Sequence, residues 1–138
     1  MATPNNLIGL GVPAVQAGRL GMAIVSVTCA GATAGAAKQL GGFPGIYVVN
    51  ASNSGSGVAL PQMGGQTGAL LSDEFIIANI VGGTIYVYAN ATGLGSAVTF
   101  YGDGVSTAGT TGISVATGFN AMFRPITMST WIYTKVSA

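Results

Sequence analysis

Ser72–Gly93, SDEFIIANIVGGTIYVYANATG, is the stretch whose reading decides the fold. It sets two short apolar runs, rich in β-branched and aromatic residues, on either side of Gly82-Gly83, which is the pattern of strands joined by turns. In GTIYVYAN, alternation puts Ile85 and Val87 on one face and Tyr86 and Tyr88 on the other. Both faces are apolar, so both are expected to be covered. Two of the chain's three acidic residues, Asp73 and Glu74, stand directly before the first run. As neighbours on a strand they point to opposite faces and cannot form one acid–base pair. They read as a solvent-facing strand start that guards the apolar strands behind it against edge pairing.

The same pattern extends outward from Ala23 to the end of the chain. Strands are expected at 23–29, 45–50, 57–60, 73–79, 84–89, 97–101, 111–115, 120–124 and 130–136, separated by Gly, Asn, Ser and Pro. In STWIYTKV, Trp131, Tyr133 and Lys135 share one face and Ile132, Thr134 and Val136 the other, again a two-sided pattern. GATAGAAKQLGG, residues 31–42, reads as a loop or a single helical turn. This predicts an all-β, single-domain β-sandwich or jelly roll over residues 22–138. Residues 1–21 differ: Pro13 opens a short helical stretch to Leu20 that Gly21 stops, giving an N-terminal arm with a short helix.

Composition narrows the function. The 138 residues contain four Lys and Arg, three Asp and Glu, and no His. Charged residues make 5%, against about 25% in ordinary soluble domains. The mean hydropathy is +0.61. A surface so poor in charge favours packing against other subunits. Arg19, Lys38, Arg124 and Lys135 are scattered, so no basic footprint for nucleic acid is present. Residues 20–37 run without a charge, but their centre is Gly, Ala, Ser and Thr, so no membrane span is expected. No positively charged start precedes an apolar run, so no secretory signal is expected and assembly in a cytoplasm is.

The chemical motifs are weak. GLGVPA, residues 9–14, fits a dinucleotide fingerprint in spelling, yet no strand precedes it and the first acid is Asp73. Asp103, in YGDGV, could pair with Asp73 or Glu74 only if the fold brought them together. Without histidine no Ser-His-Asp triad exists, and three isolated carboxylates make a poor metal cage. The sequons at Asn50 and Asn90 read as turn residues. Cys29 reads as a small buried apolar residue. Trp131 beside Tyr133 could stack on a sugar, but a lone Trp on a closing strand reads better as core or interface. No enzyme activity, cofactor or metal is expected.

Four segments carry a resemblance: NLIGLGVPAVQAGRLG (6–21), GSGVALP (55–61), SDEFIIANIVGGTIYVYANATG (72–93) and ATGFNAMFRPITMSTWIY (116–133). With Leu60-Pro61, Asp73, Asn79, Tyr86 to Tyr88 and Trp131 in order, the chain resembles small tailed-bacteriophage structural proteins of the head decoration, or cement, kind. The resemblance implies a virion protein on the capsid surface, binding the major capsid protein and itself, often as a homotrimer. On this reading Leu7, Ile8, Leu10, Val12, Val15, Arg19 and Leu20 form a capsid-docking arm. Phe75, Ile77, Tyr86, Tyr88, Phe123, Trp131 and Tyr133 fill the core or a subunit interface. The alternative is a tail-fibre or glycan-binding recognition module.

Overall fold

The computed structural model describes residues 23–41, 43–51, 55–63, 68–71, 73–80, 82–89 and 98–137. The expected arm and helix of residues 1–21, its docking residues, GLGVPA and Asn90 lie outside the described residues. Eleven strands are described: β1 (Ala23–Thr28), β2 (Lys38–Gln39), β3 (Gly45–Ala51), β4 (Gly57–Ala59), β5 (Phe75–Asn79), β6 (Ile85–Tyr88), β7 (Thr99–Gly102), β8 (Val105–Ala108), β9 (Ile113–Val115), β10 (Phe119–Thr127) and β11 (Thr130–Ser137). They form a seven-stranded sheet, ordered β1-β3-β5-β10-β11-β7-β8, and a four-stranded sheet, ordered β2-β4-β6-β9.

The chain is all-β and built as a sandwich. Its first half is wound. β1, β3 and β5 run parallel in the large sheet, β2, β4 and β6 run parallel in the small one, and the chain alternates between them. Each odd–even pair of strands is therefore one turn of a flattened coil. Parallel neighbours need such a crossover because a tight turn cannot join them. The turns stack in register: Ile24 lies beside Ile46 and Ile46 beside Ile76, while Lys38 lies beside Val58 and Val58 beside Val87. Antiparallel Greek keys, which define a jelly roll, are not the plan of this half.

The second half closes the coil with antiparallel strands. β10 pairs with β5 and β11, β9 pairs with β6, and β7 and β8 form a hairpin. That hairpin turns at Asp103-Gly104, with φ of 52° and 76°, the left-handed pair that a two-residue β-turn demands and that Asp-Gly supplies. β11 also takes β7 as a parallel neighbour.

Two strands fall where the sequence pattern gives none. In residues 31–42, the Ala37 amide donates to the Thr33 carbonyl at 2.9 Å, closing one helical turn as expected. The chain then straightens into β2 against β4. β8, largely exposed on the sheet edge, is held by its hairpin. Asn50 lies within β3 rather than in a turn, and its side chain accepts a hydrogen bond from Thr28 at 3.1 Å.

The core between the sheets is aromatic toward the antiparallel half. Phe75 meets Trp131 edge-on with centroids 5.6 Å apart, and Phe100 meets Phe123 in the same way at 5.6 Å. Such edge-to-face pairs add about 0.5–1.5 kcal/mol beyond area burial. Toward β1 and β2 the interior is Val27, Leu40, Val49, Val58 and Leu60. A second, smaller cluster sits outside the small sheet, where Ala34 and Ala37 pack over Ala59 and Tyr88. Tyr88 anchors it by donating its hydroxyl to the Ala32 carbonyl at 3.0 Å. Gly57 is required beneath it, since a Cβ there would come 2.5 Å from the Tyr88 ring.

Candidate functional site

The acidic residues are all committed to local structure. Glu74 accepts from Arg124 Nη2 at 2.7 Å across the outer surface of the large sheet. Asp73 closes a turn: its carboxylate accepts from the Leu70 amide at 2.9 Å while its own amide donates to the Leu70 carbonyl at 3.1 Å. Asp103 faces Lys135 at 4.0 Å. Glu74 sits beside β10 and Asp103 beyond β11, three strand spacings or about 14 Å apart, so the fold does not assemble a carboxylate pair from them. β5 is a central strand with β3 and β10 on its sides. Guarding a free edge is therefore not the work of Asp73 and Glu74; one ties a turn and the other an ion pair.

Cys29 is buried, and that burial pushes its thiol up to about 11. It is protonated at neutral pH and a poor nucleophile. Among the described residues no three His, Cys, Asp or Glu side chains converge as a metal cage, and no helix is long and apolar enough to cross a membrane.

Phe75, Ile77, Tyr88, Phe123, Trp131 and Tyr133 are all buried within the chain, with Tyr86 partly so. Trp131 is only 1% exposed, so it has no ring face to offer a sugar. Tyr47, buried beside Phe75, donates its hydroxyl to the Phe43 carbonyl at 2.6 Å, and burial pushes it up to about 12.

The surface that stands out is one the sequence reading did not single out: the outer face of the large sheet. Register aligns three rows across it. The first runs Ile24, Ile46, Ile76, Met122, Thr134. The second runs Ser26, Val48, Ala78, Asn120, Val136. The third runs Arg124, Ile132, Tyr101, Ser106, with Glu74 beside Arg124. Ile24 is 75% and Val136 58% exposed, and Met122, Ile132 and Tyr101 are also exposed. From Ile24 to Thr134 the face spans four strand spacings, about 19 Å, and its rows about 14 Å along the strands. Contiguous apolar patches larger than a few hundred Å² mark interaction surfaces. The expected two-sided burial of β11 is one-sided among the described residues: Trp131 and Tyr133 are inside, while Ile132, Thr134 and Val136 face out. The signal available in sequence was an isoleucine as the second residue of β1, β3 and β5 alike, which becomes a row only once the strands are known to be parallel and in register.

Electrostatically the face is neutral. Its described charges, Glu74 and Arg124, are paired with each other at its edge. Compared with protein-family models, with curated proteins and with solved structures, the chain matches none.

Proposed function

We propose that this protein is a structural part of a virion, a self-associating decoration protein that covers and reinforces a phage shell rather than a catalyst. The observation that carries this reading is the apolar, neutral outer face of the seven-stranded sheet, with Ile24, Met122, Ile132 and Val136 exposed in register. A chain with 5% charged residues has little else to keep it dispersed. Covering this face removes the apolar area from water at about 25 cal/mol per Å². Its complement must be equally flat, apolar and uncharged, and the same face of a second copy meets all three requirements. The resemblance to head decoration proteins supplies the wider setting, the outside of a capsid.

Two measurements test the two parts of the reading. Sedimentation equilibrium of the whole chain is expected to give an assembly. A face meeting its own copy makes a two-fold contact, hence an even number of chains; three chains would mean that the face meets a different surface. The variants Ile24→Glu and Val136→Glu, at opposite ends of the face and largely solvated, are expected to yield folded monomers. A wild-type monomer would overturn self-association. For the setting, gold-labelled antibody on particles from cells that make this chain should decorate heads; gold on tails, or particles free of the chain, would overturn it.

A further inference from the structure

Two side chains at the end of the wound half point inward and still meet solvent. Val25 shares its row with Tyr47 and Ile77, which are 5% and 0% exposed, yet Val25 itself is 40% exposed. Lys38 shares its row with Val58 and Val87, both fully buried, and is exposed as well. They stand on β1 and β2, the outermost strands of the two sheets among the described residues. Between those strands runs a groove of about 490 Å³, lined by Val27, Leu40 and Tyr47 along with Val25 and Lys38. Val25, Gly41 and Tyr47 also line a smaller pocket of about 200 Å³ with Phe43 and Pro44, so the two adjoin.

The polarity of this groove changes once along its length. At one end stand Lys38, Gln39 and Thr28. At the other, among Val25, Phe43 and Pro44, the one polar side-chain group is the Tyr47 hydroxyl, which donates to the Phe43 carbonyl at 2.6 Å. Among the described cations, Arg124 faces Glu74 and Lys135 faces Asp103, while Lys38 has no carboxylate opposite. An inward lysine on an edge strand also discourages edge pairing, but that role calls for no apolar pocket beyond Gly41. An extended peptide calls for pockets that alternate along the groove, because its side chains alternate. A single change of polarity fits a ligand with one charged and one apolar end. Since the protein supplies the cation, the ligand supplies the anion.

We propose that this groove binds a free single-chain carboxylate of the fatty-acid class, its head at Lys38 and its tail along Val27, Leu40 and Val25 toward Phe43. The five residues from Lys38 to Phe43 span at most about 17 Å, enough for an extended tail of medium length. The groove's volume lies within the range of about 300–1,000 Å³ that small-molecule sites occupy. Each methylene taken from water should tighten binding by up to about fourfold. The carboxylate, meeting an exposed lysine, should add only about two- to fivefold. The tail then sets the affinity, and Lys38 sets the orientation and the sign of head that is accepted. This site is separate from the outer face of the large sheet, so its failure would leave the proposed self-association untouched.

The test uses the full chain and decanoate, kept below the concentration at which it forms micelles. Its addition is expected to move the NMR amide signals of Val25, Val27, Leu40 and Gly41, with an affinity roughly tenfold above that of octanoate. Decyltrimethylammonium, with the same tail and the opposite head, should bind more weakly, and Lys38→Glu should reverse that preference. No binding, signals that move at Met122 and Ile132 on the outer face instead, equal affinity for the two heads, or an unreversed preference in Lys38→Glu each overturn the proposal. Should Lys38→Glu fail to fold, Lys38→Gln decides: the preference for the anionic head is expected to disappear, and an unchanged preference overturns the proposal.

Discussion

The two halves of the sandwich are held by different means. The antiparallel half is built from sequence neighbours, with β7 joined to β8 and β10 to β11 through short turns, and its interior is packed with rings. The parallel half pairs strands 20 or more residues apart, and toward β1 and β2 its interior is Val and Leu around Tyr47. Register in the antiparallel half is set by turn chemistry next to the strands. In the parallel half it is set by the length of each coil and by inward rows that match, such as Val27 beside Val49. The aromatic end should therefore carry most of the stability, and the aliphatic end should open first.

The sharpest way to break that contrast is to truncate one side chain at each end. Phe123 is fully buried among Phe100 and Tyr133. Phe123→Ala is expected to cost about 3–5 kcal/mol by chemical denaturation. Leu40→Ala, at the groove, should fall near the bottom of the usual range of about 2–5 kcal/mol, because its cavity can collapse. Equal costs would mean that both ends are packed alike.

Next in size is the clamp where the halves meet. Asn79, fully buried at the end of β5, donates through Nδ2 to the carbonyls of Val115 at 2.8 Å and Gly83 at 2.9 Å. The Gly118 amide donates to the Asn79 carbonyl at 2.8 Å, and Thr117 Oγ1 accepts from the Gly83 amide at 2.9 Å. One side chain thus ties the large sheet to β9 of the small one. Asn79→Ala removes both Nδ2 bonds, leaving the Gly83 carbonyl only the Thr117 hydroxyl at 3.2 Å, and is expected to cost about 1–3 kcal/mol, with amide exchange rising around Gly83 and Val115. If exchange rose only in β1 and β2, the clamp would not be what joins the halves.

Alkaline pH acts on buried groups of both halves, Tyr133 of β11 being raised by burial and by Asp103 as well. Burial raises Cys29 from an ordinary 9.0 to about 11 and Tyr47 from 10.0 to about 12, and both lie in the parallel half. A raised pKa means that the unfolded chain gives up its proton first as pH rises. The stabilisation is present in full below pH 9 and is lost through about pH 11 for Cys29 and about pH 12 for Tyr47. The thermal midpoint should fall across that window, and Cys29→Ala should remove the earlier part of the fall. An unchanged profile in Cys29→Ala would exclude the thiol as its source.

The strands themselves were largely legible in sequence, because period-two alternation and Gly, Asn or Pro boundaries are local signals. β2 was not, since Lys38-Gln39 follows an alanine-rich turn and has no strand propensity; the ladder to β4 makes it extended. The pairing was not legible either. Alternation says which way a side chain points but not which strand lies beside it, so a coil with parallel rows looked like any sandwich. The same gap hid the apolar face. Rings such as Trp131 and Tyr133 are the conspicuous residues of the sequence and the fold keeps them inside, while the outward row is made of isoleucines on three separate strands.

The smallest expected effect bears on that face most directly. Glu74 and Arg124 are both partly solvated, with side chains 32% and 46% exposed. In a free monomer such an ion pair contributes about 0.2–1 kcal/mol and weakens with salt. Glu74→Gln should therefore cost little in the Ile24→Glu monomer, and the cost should shrink further as salt is added. In the wild-type assembly the same substitution leaves Arg124 without its carboxylate at the margin of a covered surface, where an uncompensated charge is harder to solvate. The cost should then be larger and appear as weaker association at the same salt. Measuring Glu74→Gln in both backgrounds thus asks whether water or protein lies over the outer sheet: equal small costs mean water, and a larger cost in the assembly means a neighbouring subunit.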